Sequence, residues 1–189
     1  KNPEKKVLKM LSVIFERFAQ ASPVTVMVRS AMERIFNPET LDHLFEETAQ
    51  RQYTRELLFS TVVNLMSLVV CCIRPSVSAA YKAYQKEIGV SKVALYSKIN
   101  GIEPRVSQAL VRYSAQELGS VIEELGGKLP PQLPGYRVKI IDGNALGATE
   151  HRLEVLRDVV SGPLPGKSLV VLDPSLMLAI DEFPCEDAY

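Results

Sequence analysis

The stretch Tyr136-Arg137-Val138-Lys139-Ile140-Ile141-Asp142-Gly143-Asn144 decides the fold, because here the spacing of apolar residues changes from helical to extended. Its β-branched residues predict a strand over 136–142 that ends on Asp142, and Gly143 follows without a Cβ that would hinder a metal or phosphate. Such a strand places one carboxylate at a sheet edge. Metal-dependent nuclease sites often begin in this way, and many ordinary strands end in the same way, so the stretch alone leaves the role of Asp142 open.

Upstream of this stretch, the sequence predicts a series of helices. Asn2-Pro3, Ser22-Pro23 and Asn37-Pro38 each place a capping side chain before a proline suited to the first helical position. The predicted helices span about 3–20, 23–36, 38–50, 54–73, 76–89, 92–99 and 104–126. The sequence therefore predicts an all-α domain over residues 1–127.

Downstream of the helices, the chain becomes extended. Residues 128–135 contain three prolines and a glycine, which predicts a linker. Three strands are predicted at 136–142, 169–172 and 177–180, with a short helix over 149–157. Asp173-Pro174-Ser175 predicts a turn that joins the last two strands as an antiparallel hairpin. The predicted fold class is α+β, with a helical domain followed by strands over 136–189.

Composition limits the function classes. The 189 residues are 47% hydrophobic, and 22 basic residues balance 22 acidic ones, so any affinity for DNA must come from local patches. The adjacent pair Cys71-Cys72 argues against a disulfide framework and indicates a reducing compartment. The apolar run 57–73 is short for a membrane span and carries polar residues, so it predicts a buried central helix.

The residues around Gly89 form a candidate DNA-binding motif. The predicted helix before Gly89, the tight turn and the short helix after it resemble a helix-turn-helix, whose second helix enters the major groove. Gln85 and Lys98 depart from the usual pattern, because those positions normally pack apolar residues. The alternative is a plain helical bundle with solvated lysines. The candidate DNA contacts are Ser91, Lys92, Ala94 and Lys98.

Several motifs together resemble the start of the DDE-type transposases of bacterial insertion sequences, in the family numbered four. The motifs in the extended region are Lys139-Ile140-Ile141-Asp142-Gly143-Asn144, Ala148-Thr149-Glu150-His151-Arg152-Leu153, the run from Leu164 to Pro174, and Phe183-Pro184-Cys185-Glu186-Asp187. Those in the helical region are Ile88-Gly89-Val90-Ser91, Leu95-Tyr96, Lys98-Ile99 and Ile102-Glu103-Pro104. The resemblance covers most of the chain.

The resemblance implies that residues 136–189 begin a ribonuclease H-like catalytic domain and that Asp142 is the first catalytic aspartate. It implies Mg²⁺ as the cofactor of Asp142, double-stranded DNA of the transposon ends and target as the partner, and metal-dependent cleavage and strand transfer as the activity. The resemblance also implies a homodimer of the complete protein, a DNA-associated location in the bacterial cytoplasm, and no membrane partner. The second Asp and the Glu of the triad are expected beyond Tyr189, so this chain alone is expected to be inactive.

Two other function classes remain open. In a DNA-binding regulator, residues 1–127 recognise an operator and the strands belong to a dimerisation or sensing module. In a PIN-like metal-dependent nuclease, Ile141-Asp142-Gly143-Asn144 opens the fold, but helix and parallel strand should follow. The predicted hairpin at 169–180 suits a ribonuclease H-like sheet better.

Overall fold

The computed structural model describes residues 19–52, 56–145 and 167–185. The chain divides into two compact units, Lys1–Ile35 and Phe36–Tyr189. Most of the predicted helix 3–20 and all of the predicted helix 149–157 lie outside the described residues. The predicted division of the chain into a helical domain (1–127), a linker (128–135) and a second domain (136–189) stays a prediction.

The first unit contains helix α1, Pro23–Ile35. The helix begins where Ser22-Pro23 predicts it, and the carbonyl of Ser22 accepts the amide of Val26 at 3.2 Å. Arg29 and Glu33 form an i,i+4 ion pair at 2.8 Å on its exposed surface. The predicted start of this helix is confirmed.

The second unit contains five further helices among the described residues. They are α2 (Pro38–Thr48), α3 (Phe59–Val70), α4 (Val77–Ile88), α5 (Lys92–Asn100) and α6 (Pro104–Glu124). The side chain of Asn37 accepts the Thr40 amide at 3.2 Å, as expected of a residue that caps α2 before a proline. Gly126, in the left-handed conformation with φ 66°, follows the end of α6. The helices therefore lie close to their predicted bounds, with one exception.

The exception is α3, for which the predicted start at 54 is wrong. Residues 56–58 are not helical, and α3 begins at Phe59. Its first turn is capped from outside, because the carboxylate of Asp42 on α2 accepts both the amide and the hydroxyl of Ser60 at 2.8 Å. A cap supplied by another helix leaves no local signal in the sequence.

Helix α3 lies at the centre of the helical core, as predicted. One cluster of buried side chains joins it to α4 and α5 and comprises Leu57, Val62, Leu65, Ala80, Tyr81, Ile88 and Leu95. A second joins it to α2 and α6 and comprises Leu41, Phe45, Phe59, Val63 and Val106. In the second cluster the rings of Phe45 and Phe59 stack with centroids 5.1 Å apart. None of the helices in the described part of the chain is long and apolar enough to cross a membrane.

Three antiparallel strands form one sheet in the order β1-β2-β3, where β1 is Ile140–Ala145, β2 is Lys167–Asp173 and β3 is Leu178–Cys185. The predicted hairpin of the last two strands is confirmed. The predicted bounds of the first strand are wrong, because it begins at Ile140 and continues beyond Asp142. Its extension has a partner, since Lys167 and Ser168 pair with Ala145 and Asn144.

Helix α6 packs against β3 and attaches the sheet to the helices. Arg112 on α6 donates two hydrogen bonds to Asp181 on β3, at 2.8 and 2.9 Å, and Gln108 donates a third at 3.3 Å. The proline-containing segment 128–135 forms no helix or strand. Its Leu129 amide donates to the carbonyl of Ser175 at 2.8 Å, so this segment is attached to the turn between β2 and β3.

Candidate functional site

A tight turn at Gly89 joins α4 to α5 where the sequence predicts a turn between two helices. Gly89 adopts φ 70°, in the left-handed region that favours glycine, and its amide donates to the carbonyl of Gln85 at 3.2 Å. Ser91 then caps α5, because its hydroxyl oxygen accepts the amide of Ala94 at 3.2 Å. One difference from a regular helix pair is a bend in α4 at Tyr84, where φ is −119° and ψ is 20°.

Buried contacts hold α5 against α4. The Tyr81 side chain lies in the core, and its hydroxyl donates to the carbonyl of Val90 at 2.8 Å. Leu95 is completely buried and shares a cluster with Tyr81 and Ile88. The direction of α5 is therefore determined by side chains that lie beneath the turn, while Ser91, Lys92 and Ala94 at its N-terminal end are exposed.

Three of the four candidate DNA contacts lie at this exposed N-terminal end of α5. Ser91, Lys92 and Ala94 are all exposed and occupy the N-terminal turn of α5. The ammonium of Lys92 lies 5.8 Å from the centroid of the Tyr96 ring. Because the N-terminal residues of a recognition helix contact base edges, these positions suit a major groove.

The fourth candidate, Lys98, points elsewhere. Its ammonium lies 3.8 Å from the centroid of the Phe45 ring, is shielded from solvent and has no hydrogen-bond partner among the described residues. Burial lowers the pKa of Lys98 below its ordinary value, and the nearby charge of Asp42 opposes that shift. In this conformation the shielded ammonium is not available for contacts to DNA. The departure from the helix-turn-helix pattern at this position is consistent with an inward lysine.

Two further exposed lysines lie on α4 and were missed in the sequence. Lys82 and Lys86 are exposed on α4 and stand four residues apart, so they share one helix face. The sequence signal that could have identified them is the positive charge of the two helices, since α4 and α5 contain four lysines and a single acidic residue, Glu87. We use the term α4–α5 surface for the exposed residues Lys82, Lys86, Ser91, Lys92 and Ala94.

Asp142 stands at the third position of β1 and is exposed. It is paired with Val170 on β2, and Val170 is paired on its other side with Glu182 on β3. Residues opposite each other in a sheet share a face, so Asp142 and Glu182 lie on one face with Val170 between them, roughly 10 Å apart at two strand spacings. The hydroxyl of Ser168 donates to Glu182 at 2.6 Å.

The described residues do not complete a metal site around Asp142. Within residues 19–52, 56–145 and 167–185, no group of three or more His, Cys, Asp or Glu side chains is placed to hold a metal ion. Asp142 offers a hard oxygen ligand of the type that Mg²⁺ prefers, yet one carboxylate does not define the coordination of this ion. Among the described residues, a Cβ added at Gly143 would meet only the side chain of Leu169, at 3.4 Å.

The other two aspartates of the sheet have structural partners. Asp173 is buried, forms an ion pair with Lys139, and accepts the amide and hydroxyl of Ser175 at 2.9 and 2.6 Å. Desolvation raises the pKa of Asp173, but the hydrogen bonds from Lys139 and Ser175 outweigh it and hold the pKa well below its usual range. The hydrogen bond from Arg112 likewise lowers the pKa of Asp181. Both carboxylates therefore stabilise the fold, as expected of Asp173 in a turn.

No family model matches this chain, and neither a curated protein nor a solved structure matches it.

Proposed function

We propose that this chain is the N-terminal part of a DDE-type transposase and that its α4–α5 surface binds the DNA of the transposon ends. The observation that carries the proposal is the helix pair joined through Gly89, with the N-terminal turn of α5 exposed. This geometry leaves Ser91, Lys92 and Ala94 free to approach base edges. Lys82 and Lys86 add positive charge on the preceding helix for contacts to phosphates.

The transposase assignment itself rests on the sequence resemblance, and the sheet is compatible with it. An antiparallel hairpin that follows the first strand suits the start of a ribonuclease H-like sheet and does not suit the parallel arrangement of a PIN-like nuclease. In this proposal Asp142 is the first catalytic carboxylate and one ligand of Mg²⁺, which would activate water or a 3′-hydroxyl when bound. The described residues do not complete that site, so we derive no catalytic step from it.

A DNA-binding regulator is the second candidate. It is favoured because, among the described residues, Asp142 belongs to no group of three or more His, Cys, Asp or Glu side chains placed to hold a metal ion. A regulator would use the same α4–α5 surface, and the sheet would serve as a dimerisation or sensing module. The two candidates therefore agree on DNA binding and differ on the role of Asp142.

The test of DNA binding begins with the selection of duplexes from a randomised pool by the complete 189-residue chain. We expect an enriched sequence, with an affinity that falls as salt rises because lysines displace counterions from phosphates. The triple variant Lys82→Ala, Lys86→Ala, Lys92→Ala should bind the enriched duplex at least tenfold more weakly. The matched control Lys128→Ala changes an exposed lysine beside Glu123 and should bind normally. Equal loss in the control, or no enrichment, would remove the support for this function.

A further inference from the structure

Val93 is an exposed apolar residue on the outward side of α5. It is 80% exposed, more than any other large apolar residue among those that the structure describes. Leu95, two residues later, is completely buried, and two residues of an α-helix lie about 200° apart around its axis. Ser97 and Asn100 lie on the same side of the helix as Val93 and are also exposed. The side of α5 opposite Leu95 is therefore exposed at all three positions.

Positive charge lies beside Val93 in the chain and on the preceding helix. Lys92 directly precedes it, and Lys82 and Lys86 are exposed on α4. This charge is complementary to that of duplex DNA, the partner proposed for the α4–α5 surface. Contacts between lysines and phosphates position a protein on DNA but carry no information about its sequence. The sequence information must therefore come from other side chains, and Val93 is accessible for this purpose.

The chemistry of the major groove offers one partner for an apolar side chain. The edge of each base pair presents hydrogen-bond donors and acceptors there, and the C5-methyl group of thymine is the apolar group among them. A valine packed against the amino group of cytosine or the oxygen of guanine would remove that group from water without a hydrogen bond in return. Against the thymine methyl, two apolar surfaces leave water together, which is favourable.

We propose that Val93 determines the sequence specificity of DNA binding by packing against the C5-methyl group of a thymine. The inference rests on the proposed DNA binding and adds the base that is recognised. Ser91 and Lys92 are polar, so neither offers an apolar surface of this kind at its tip. One thymine of the bound site is therefore required for full affinity, and its methyl group is the feature that the protein recognises.

The test uses the duplex that the complete chain selects from a randomised pool. Each thymine is replaced in turn by uracil, which forms the same base pair and lacks only the methyl group. Burial of one methyl group changes an affinity about fourfold, so one of these replacements should weaken binding by about that factor. At the same position, 5-methylcytosine should bind more tightly than cytosine, because these two bases again differ only in the methyl group.

Val93→Ala identifies the side chain that makes the contact. The variant should bind the thymine and uracil duplexes equally, because alanine lacks the two methyl groups of valine that pack against the base. Val70→Ala is the matched control, since Val70 is 76% exposed at the end of α3, and it should keep the preference for thymine. Circular dichroism checks that both variants fold.

The outcomes separate this inference from the proposed function. If a duplex is selected but no uracil replacement weakens binding, Val93 does not recognise a thymine although DNA binding stands. The same conclusion follows if Val93→Ala keeps the preference of the parent chain. If no duplex is selected, the proposed function fails and the role of Val93 fails with it.

Discussion

The hydroxyl of Tyr81 donates a hydrogen bond of 2.8 Å to the carbonyl oxygen of Val90, and this contact joins the buried side of α4 to the residue that precedes the cap of α5. Tyr81 is only 5% exposed, so the contact forms inside the core. Because Ser91 and Lys92 follow directly, the position of the candidate DNA-contacting turn depends on a side chain that lies eleven residues earlier than Lys92.

Tyr81→Phe should therefore destabilise the chain and weaken DNA binding together. The substitution keeps the ring and removes one hydrogen bond, so we expect a loss of about 1 kcal/mol in the free energy of unfolding. Urea denaturation and a DNA-binding titration measure the two effects. Tyr84→Phe is the control, since Tyr84 is 38% exposed and should be nearly neutral. If both variants behave alike, the Tyr81 contact does not hold α5.

Gly89→Ala tests the turn itself. Nothing lies within 4 Å of a Cβ added at Gly89, so any effect comes from the backbone, where φ is 70°. A left-handed conformation costs a residue with a side chain about 1 kcal/mol more than glycine, and thermal unfolding should show this loss. Gly89→Asn should lose less, because asparagine tolerates this conformation better. Equal stability of the parent and Gly89→Ala would contradict the left-handed turn.

Gly101→Ala should destabilise the chain for a different reason, because a Cβ there would lie 1.8 Å from the side-chain nitrogen of Gln52. The amide of Gln52 must then move and lose its hydrogen bond to the carbonyl of Lys98. We expect a loss of about 1 kcal/mol or more in chemical denaturation. Gly143→Ala is the matched control, because its Cβ would make only an ordinary contact with Leu169. A neutral Gly101→Ala would show that Gln52 does not occupy this position.

Glu103→Gln should reduce stability at neutral pH and have a smaller effect in acid. The carboxylate of Glu103 accepts the amides of Gln50, Arg51 and Gln52 at 2.8, 2.7 and 3.4 Å. These hydrogen bonds, the one from Arg51 foremost, lower the pKa of Glu103 although desolvation opposes them.

Because the pKa of Glu103 is lowered on folding, the way in which stability depends on pH can be stated. A carboxyl group whose pKa is lower in the folded chain contributes stability above its unfolded pKa, about 4.3, and loses it as pH falls through the folded value. The stability difference between the parent and Glu103→Gln should therefore shrink below about pH 4 in unfolding curves measured from pH 7 to pH 2. A difference that is constant over this range would mean that the charge of Glu103 contributes nothing.

Asp142→Ala separates the two proposed functions. Asp142 is exposed, so the change should alter stability by less than about 0.5 kcal/mol and leave the binding of the selected duplex intact. In the complete transposase, transposition should be lost while the ends are still bound. A regulator should tolerate the substitution. The chain alone should cleave no terminal-repeat duplex with Mg²⁺, and cleavage would contradict the expectation that its catalytic site is incomplete.

Interactions between residues that are close in sequence were sufficient to predict most of the helices. Asn37 and Ser91 accept amide hydrogen bonds within three residues, and Gly89 and Gly126 adopt the left-handed conformation at helix ends. The hairpin follows equally from the turn that Asp173 and Ser175 form. In each case the interacting groups are close in sequence, so the pattern of residue types carries the information.

Other features depend on contacts between residues far apart in sequence, and only the tertiary structure revealed these. Helix α3 begins at Phe59 because Asp42, eighteen residues before Ser60, caps it. Strand β1 extends past Asp142 because β2 offers it partners as far as Lys167. Lys98 turns inward because Phe45 on α2 lies beneath it. The sequence by itself thus determined the helices around Gly89 and the α+β class, since caps and turns are local. The surroundings of Lys98 and Asp142 depend on residues brought near only by folding, and no local pattern encodes them.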